Sequence, residues 1–202
     1  MAPHSPYART LRVACHRAPD ALGGFLRQAL SGSRRRLSVL RPFRLPEGVG
    51  GRLYLVAMPG TLGPLERTWE DLRREGVQVL VCLAEPEEVR GKSAAYAAAL
   101  EAQAVPCPVE SFPVADFGVP DDREAFWALA LRVGRRLTGG ERVLIHCGAG
   151  IGRTGTLAAC VLLALGEPPA RAEQAVSAAG SHPETDAQRA LVAWCAARPR
   201  VR

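Results

Sequence analysis

The segment 143–163, VLIHCGAGIGRTGTLAACVLL, carries the residues whose types and spacing could do chemistry. An apolar run ends at His146, glycines stand at 148, 150 and 152, and a helical pattern begins near Arg153. Glycines let such a loop turn so that successive backbone N–H groups converge on one point, at the positive end of the following helix. The result is a cradle for an anion, formed by Gly148, Ala149, Gly150, Ile151, Gly152 and Arg153. Cys147 stands at its entrance, where the same amides and helix dipole favour a thiolate, the nucleophilic form of the side chain. Arg153 can reach back over the loop and hold two oxygens of a tetrahedral anion with its planar fork. Cradle, nucleophile and clamp then lie in one loop. A nucleotide-binding loop or a plain turn is the competing reading, but the lysine of a Walker-type loop is missing.

HCGAGIGRTG (146–155) resembles the HCxxGxxR[ST]G signature of the cysteine-based protein tyrosine phosphatases. With SHPETDAQ (181–188) and a small catalytic part, the chain is most similar to the compact atypical dual-specificity phosphatases. The resemblance covers residues 42–202 and leaves 1–41 aside. It implies hydrolysis of phosphotyrosine in proteins, with phosphoserine and phosphothreonine as an extension, through a cysteinyl-phosphate intermediate. Such chemistry needs a general acid for the leaving oxygen. The family supplies it from an upstream loop, often as D-x-x-x-P, a form met by Asp116 to Pro120 in ADFGVP. Ala115 stands where relatives often have proline, and Asp121 and Asp122, just after Pro120, read as helix caps. The resemblance further implies that His146 braces the loop and tunes the thiolate, that the Thr154 hydroxyl stabilises Cys147 as it leaves, and that Gln188 positions the hydrolytic water. Each also has a structural reading: loop support for His146, a helix-start residue for Thr154, an exposed helix residue for Gln188.

No metal or other cofactor is implied, because Arg153 and the loop amides take the charge-stabilising role. The expected partner is a phosphorylated protein. The same chemistry on a phosphoinositide, an inositol phosphate or an RNA 5′-phosphate remains an alternative, although phosphoinositide phosphatases often carry lysines where this loop has Gly148, Ala149 and Ile151. Sulfur transfer and arsenate reduction share the Cys-to-Arg spacing, and a phosphoprotein-binding module without turnover is a further class; such modules usually lose Cys, Arg or the acid, and all three are here.

These residues must be positioned by alternating elements. Residues 52–57, 77–83, 107–114 and 142–145 read as strands, and 64–75, 92–104 and 121–137 as helices between them. Three more helices, 154–165, 169–179 and 184–197, complete the chain, with capping-box spacing from Ser181 to Glu184 before the last. The alternation predicts an α/β fold with a central mixed sheet of about four to five strands flanked by helices, and a strand, P-loop and helix at its active site.

Composition agrees with a single globular catalytic domain in a chain of 202 residues, 48% hydrophobic and 23% charged. Residues 1–50 hold nine arginines against two acidic residues, a net +7 that leaves −1 for the rest. This marks 1–41 as a basic, poorly structured or loosely docked extension, with a short amphipathic helix at 21–30, ahead of a catalytic domain at 42–202. Lys92 is the only lysine among 26 basic residues, a bias that speaks of codon usage rather than nucleic-acid binding, and no nucleic-acid partner is expected. The six cysteines form no CxxC pair, so reduced thiols in a cytoplasmic setting are expected. The longest apolar run, 157–165, is too short to span a membrane. Nothing in the sequence indicates the oligomeric state.

Overall fold

The strands read as continuous apolar runs, and the reason is a parallel sheet covered on both faces. In the computed structural model, which describes residues 38–198 and 200, five strands are ordered β1-β2-β5-β3-β4. They are β1 (Arg41–Phe43), β2 (Arg52–Val56), β3 (Val79–Cys82), β4 (Val109–Ser111) and β5 (Arg142–His146). β1 runs antiparallel to β2, and the other pairings are parallel, so the sheet is mixed as expected. The register aligns Val56, His146 and Cys82 across the centre, so β2, β5 and β3 end together at one edge.

Seven helices among the described residues flank this sheet: α1 (Leu65–Glu75), α2 (Pro86–Lys92), α3 (Ala94–Glu101), α4 (Arg123–Thr138), α5 (Gly152–Ala164), α6 (Pro169–Ala178) and α7 (Asp186–Ala196). Leu53, Leu55, Val79, Val81, Val143 and Ile145 pack with α4 to α7 on one face. The alternate residues Tyr54, Val56, Leu80, Cys82 and Leu144 pack with α1 to α3 on the other. All 13 residues of α5 are buried, which explains its apolar character all round. No helix among the described residues is long and apolar enough to cross a membrane.

Several elements differ from the sequence reading, each for a local reason. The helix expected at 92–104 begins earlier and is broken in two. Pro86 occupies the first turn of α2, while Ser93 leaves helical geometry (φ −151°, ψ 85°) and its Oγ accepts from the Tyr96 N–H at 3.4 Å to cap α3. β1 was not expected; its Pro42 is tolerated because the strand lies at a sheet edge. The strand expected at 107–114 pairs only over Val109–Ser111. Asp122 caps α4 as read, its side chain accepting from Ala125 N–H at 2.9 Å. The last helix is capped by Thr185, not Ser181. Thr185 Oγ1 accepts from Gln188 N–H at 3.2 Å, and Gln188 Oε1 accepts from Glu184 N–H at 2.8 Å, a reciprocal pair shifted along the chain. The domain boundary expected at Pro42 falls inside β1, and the compact unit begins at Ser38, whose Oγ reaches Asp71 at 3.0 Å. The helix expected at 21–30 lies outside the described residues.

Candidate active site

The chain leaves β5 at His146 and enters α5 at Gly152, so the connecting loop sits at the carboxyl end of the central strand, between two parallel neighbours. This is where open α/β sheets form their crevices. Gly150 is the residue that permits the turn: its φ is +73°, and any side chain there would run into the backbone of Val56 and Ala57 at the end of β2. Cys147, the candidate nucleophile, is only 2% exposed, and its Sγ accepts the Gly150 N–H at 3.3 Å. Met58 N–H donates to Gly148 O at 2.9 Å, which ties the loop to the segment after β2.

Arg153 is 3% exposed, and its fork is fully engaged. Nη1 donates to Glu88 Oε2 at 2.6 Å and to Val114 O at 2.8 Å; Nη2 donates to Glu88 Oε1 at 2.9 Å and to Asp116 Oδ1 at 2.7 Å. A bidentate carboxylate of this kind fixes the plane of the guanidinium. Burial by itself would raise the Glu88 carboxyl, but hydrogen bonds and charge from Arg153 and Lys92 outweigh it and hold the group at about 2. Lys92 Nζ bridges Glu88 Oε1 at 2.7 Å and Asp116 Oδ2 at 3.3 Å. Asp116, the candidate general acid, is thus brought to the loop from the connection between β4 and α4, with its carboxylate half exposed.

His146 is fully buried between Tyr96 and the loop. Its Nδ1 lies 3.0 Å from Cys147 O, a group that can only accept, so Nδ1 carries the proton. Nε2 then accepts from the Tyr96 hydroxyl at 2.9 Å. Burial is the main cause that pushes the imidazole down to about 4, and the ring is neutral at pH 7. These bonds tie the His146 ring to the loop carbonyl on one side and to α3 on the other.

The two remaining sequence candidates differ in what they touch. Thr154 is buried, and its Oγ1 has no hydrogen-bond partner among the described residues; no bond to Cys147 is formed. Gln188 is not an exposed helix residue but 1% exposed. Its Nε2 donates to Gly118 O at 3.0 Å, which links α7 to the loop that bears Asp116.

Sequence reasoning missed Glu88, Lys92 and Tyr96. Their approach to the loop depends on the break at Ser93, which no local pattern announced. One signal was present: a lone lysine in a chain that otherwise uses arginine.

No curated protein matches the sequence. Among solved structures, a kinase-associated phosphatase with serine in place of its catalytic cysteine is 22% identical, with 81% of this chain and 99% of that one covered at a TM-score of 0.67. Tk-PTP in a G-to-A mutant form is 27% identical (72% and 90% covered, TM-score 0.59). PTPMT1 in complex with PI(5)P is 20% identical (76% and 94% covered, TM-score 0.55). The family model described as the DSP-PTPase phosphatase domain of the Swiss Army Knife proteins (PTP-SAK) matches residues 58–201, a span that includes Asp116, Cys147, Arg153 and Gln188, and the chain belongs to that family of cysteine-based dual-specificity phosphatase domains.

Proposed function

We propose that this domain hydrolyses phosphotyrosine, with phosphoserine and phosphothreonine as further substrates, in phosphorylated proteins. The observation that carries the reading is the meeting of three groups in one place: Cys147 inside the amide loop, the Arg153 fork beside it, and the Asp116 carboxylate on that fork at 2.7 Å. Asp116 holds, on Nη2, a place that a phosphate oxygen takes when substrate binds. Displaced from it, the carboxyl group stands at the mouth of the loop, where a leaving oxygen would lie.

The reaction then runs in two steps. The Cys147 thiolate attacks phosphorus, the bond to the ester oxygen breaks, and protonated Asp116 delivers its proton to that oxygen. Arg153 and the amides of Gly148, Ala149, Gly150, Ile151 and Gly152 hold the equatorial oxygens, where charge develops. Water next attacks the cysteinyl phosphate, Asp116 accepts its proton, and the sulfur–phosphorus bond breaks to release phosphate and restore the thiolate. In this second step Gln188, in α7 against the Asp116 loop, orients the water, and Thr154 offers its hydroxyl hydrogen to the departing sulfur. His146, held neutral, keeps the loop carbonyl of Cys147 turned away from the anion.

A phosphoinositide substrate would need cationic groups for further phosphates. Lys92, a basic side chain beside Asp116, is already shared by Glu88 and Asp116, and Arg41 is spent on Ala179 O, Gly180 O, Gly150 O and Ser181 Oγ, which favours the protein substrate. Turnover of a phosphotyrosine peptide, a phosphoserine peptide and a soluble phosphoinositide in EDTA, with Cys147→Ser as control, tests the assignment. Preference for the phosphoinositide would overturn the substrate class, and activity that requires a divalent ion would overturn the mechanism.

A further inference from the structure

Arg41 sits in β1, opposite Leu55 in the edge pairing of the sheet, and nothing in the two-step reaction calls on it. Yet all four terminal donors of its guanidinium are used. Nη1 donates to Ala179 O and to Gly180 O, both at 2.9 Å, and Nη2 donates to Gly150 O and to Ser181 Oγ, the latter at 3.2 Å. Ser181 is fully buried, and its own hydroxyl donates to Gly150 O at 2.8 Å. One carbonyl of the 147–151 loop therefore receives two hydrogen bonds, one of them charge-assisted, from behind the loop.

That carbonyl belongs to the peptide between Gly150 and Ile151. In a trans peptide the N–H points opposite to the C=O, so a carbonyl held on the Arg41 side sends the Ile151 N–H to the other side, into the anion cradle. Gly150 has the backbone freedom to let this peptide rotate, because no Cβ restricts it. A rotated peptide would withdraw one donor from the cradle and point a carbonyl dipole at the anion. It would also leave Arg41 and the buried Ser181 without their shared acceptor, an outcome disfavoured for desolvated polar groups.

We propose that Arg41 is a positioning residue for the phosphate-binding loop, holding the Gly150 carbonyl outward so that the Ile151 N–H stays available to the substrate phosphate. The role rests on the phosphatase reading of the loop, and the experiment separates the two. Binding of inorganic phosphate and of tungstate to the full-length protein is measured by calorimetry, beside kcat and KM for an aryl phosphate and the melting temperature. Arg41→Met should weaken oxyanion binding and lower kcat/KM by about tenfold or more, the size expected for losing a charge-assisted hydrogen bond. Arg41→Lys should recover only part, since an ammonium cannot fork among three carbonyls. Guanidinium ion at millimolar concentration should restore some binding to Arg41→Met. Ser181→Ala, which leaves β1 untouched, should weaken oxyanion binding in the same direction and serves if Arg41→Met fails to fold. A folded Arg41→Met protein, or failing that Ser181→Ala, with wild-type oxyanion affinity overturns the inference, even if its melting temperature falls. A wild-type protein that neither binds oxyanions nor turns over overturns the phosphatase reading and this inference with it.

Discussion

Glu88→Gln removes the carboxylate that orients Arg153 while keeping the side chain's shape. Glu88 is 10% exposed and Arg153 3%, so their ion pair is shielded from solvent. The carboxyl lies at about 2 against an ordinary 4.5. That difference corresponds to about 3 kcal/mol of native-state stabilisation at neutral pH. The figure agrees with the roughly 3–5 kcal/mol that follows removal of one partner from a buried pair. The sign is that of a depressed carboxyl: the stabilisation is complete above the unfolded value near 4.5 and is lost as pH falls through the folded value near 2. Urea unfolding at pH 7 should therefore find Glu88→Gln less stable by about 3 kcal/mol, or somewhat less because the amide keeps one acceptor. The gap should shrink to about half at pH 3. With its fork less fixed, Arg153 should also bind phosphate less well, and kcat/KM should fall by about 10- to 100-fold, the effect of losing one or two charge-assisted hydrogen bonds. A variant as stable as wild type at pH 7, with an unchanged gap at pH 3, would refute the ion pair as the holder of Arg153.

Asp116→Asn should lower kcat by about 10²- to 10⁴-fold on an alkyl phosphate and much less on an ester with an acidic phenol as leaving group; an equal loss on both would show that Asp116 is not the acid. Thr154→Val removes a buried hydroxyl that has no partner among the described residues, so stability should stay within about 1 kcal/mol while the cysteinyl phosphate accumulates and a burst appears in stopped flow. Full kcat with no burst would end its assigned role. Gln188→Ala leaves Gly118 O without its donor and should loosen the Asp116 loop, seen as a lower kcat and faster amide exchange at 116–118; exchange and kcat identical to wild type would count against it. His146 has a depressed folded value of about 4 against 6.5, so the unfolded chain takes up the proton first and stability is lost as pH falls from 6.5 through 4. His146→Asn should flatten the pH dependence of unfolding in that window, and an unchanged slope would contradict the neutral, buried imidazole.

The parts that were legible in the sequence share one property: their cause is local. Glycine spacing and the type order His146, Cys147, Arg153 specify the loop, because turn geometry and a helix N-terminus need only adjacent residues. The apolar runs of β2, β3 and β5 and the caps of α4 declare themselves for the same reason. Asp116 was found through a short pattern, and it does reach Arg153.

What only the tertiary structure decided is which distant groups hold that loop in its working shape. Glu88 meets Arg153 across 65 residues of chain and Arg41 meets Gly150 across 109, in contacts that exist because the mixed sheet sets the start of antiparallel β1 beside the end of β2, at the same end as the carboxyl ends of β3 and β5. The burial of Gln188 likewise depends on α7 packing beside the Asp116 loop, a surface that a helix considered alone does not possess. A one-dimensional pattern records side-chain types and periods, whereas an ion pair between two buried groups is a property of the space the whole sheet encloses.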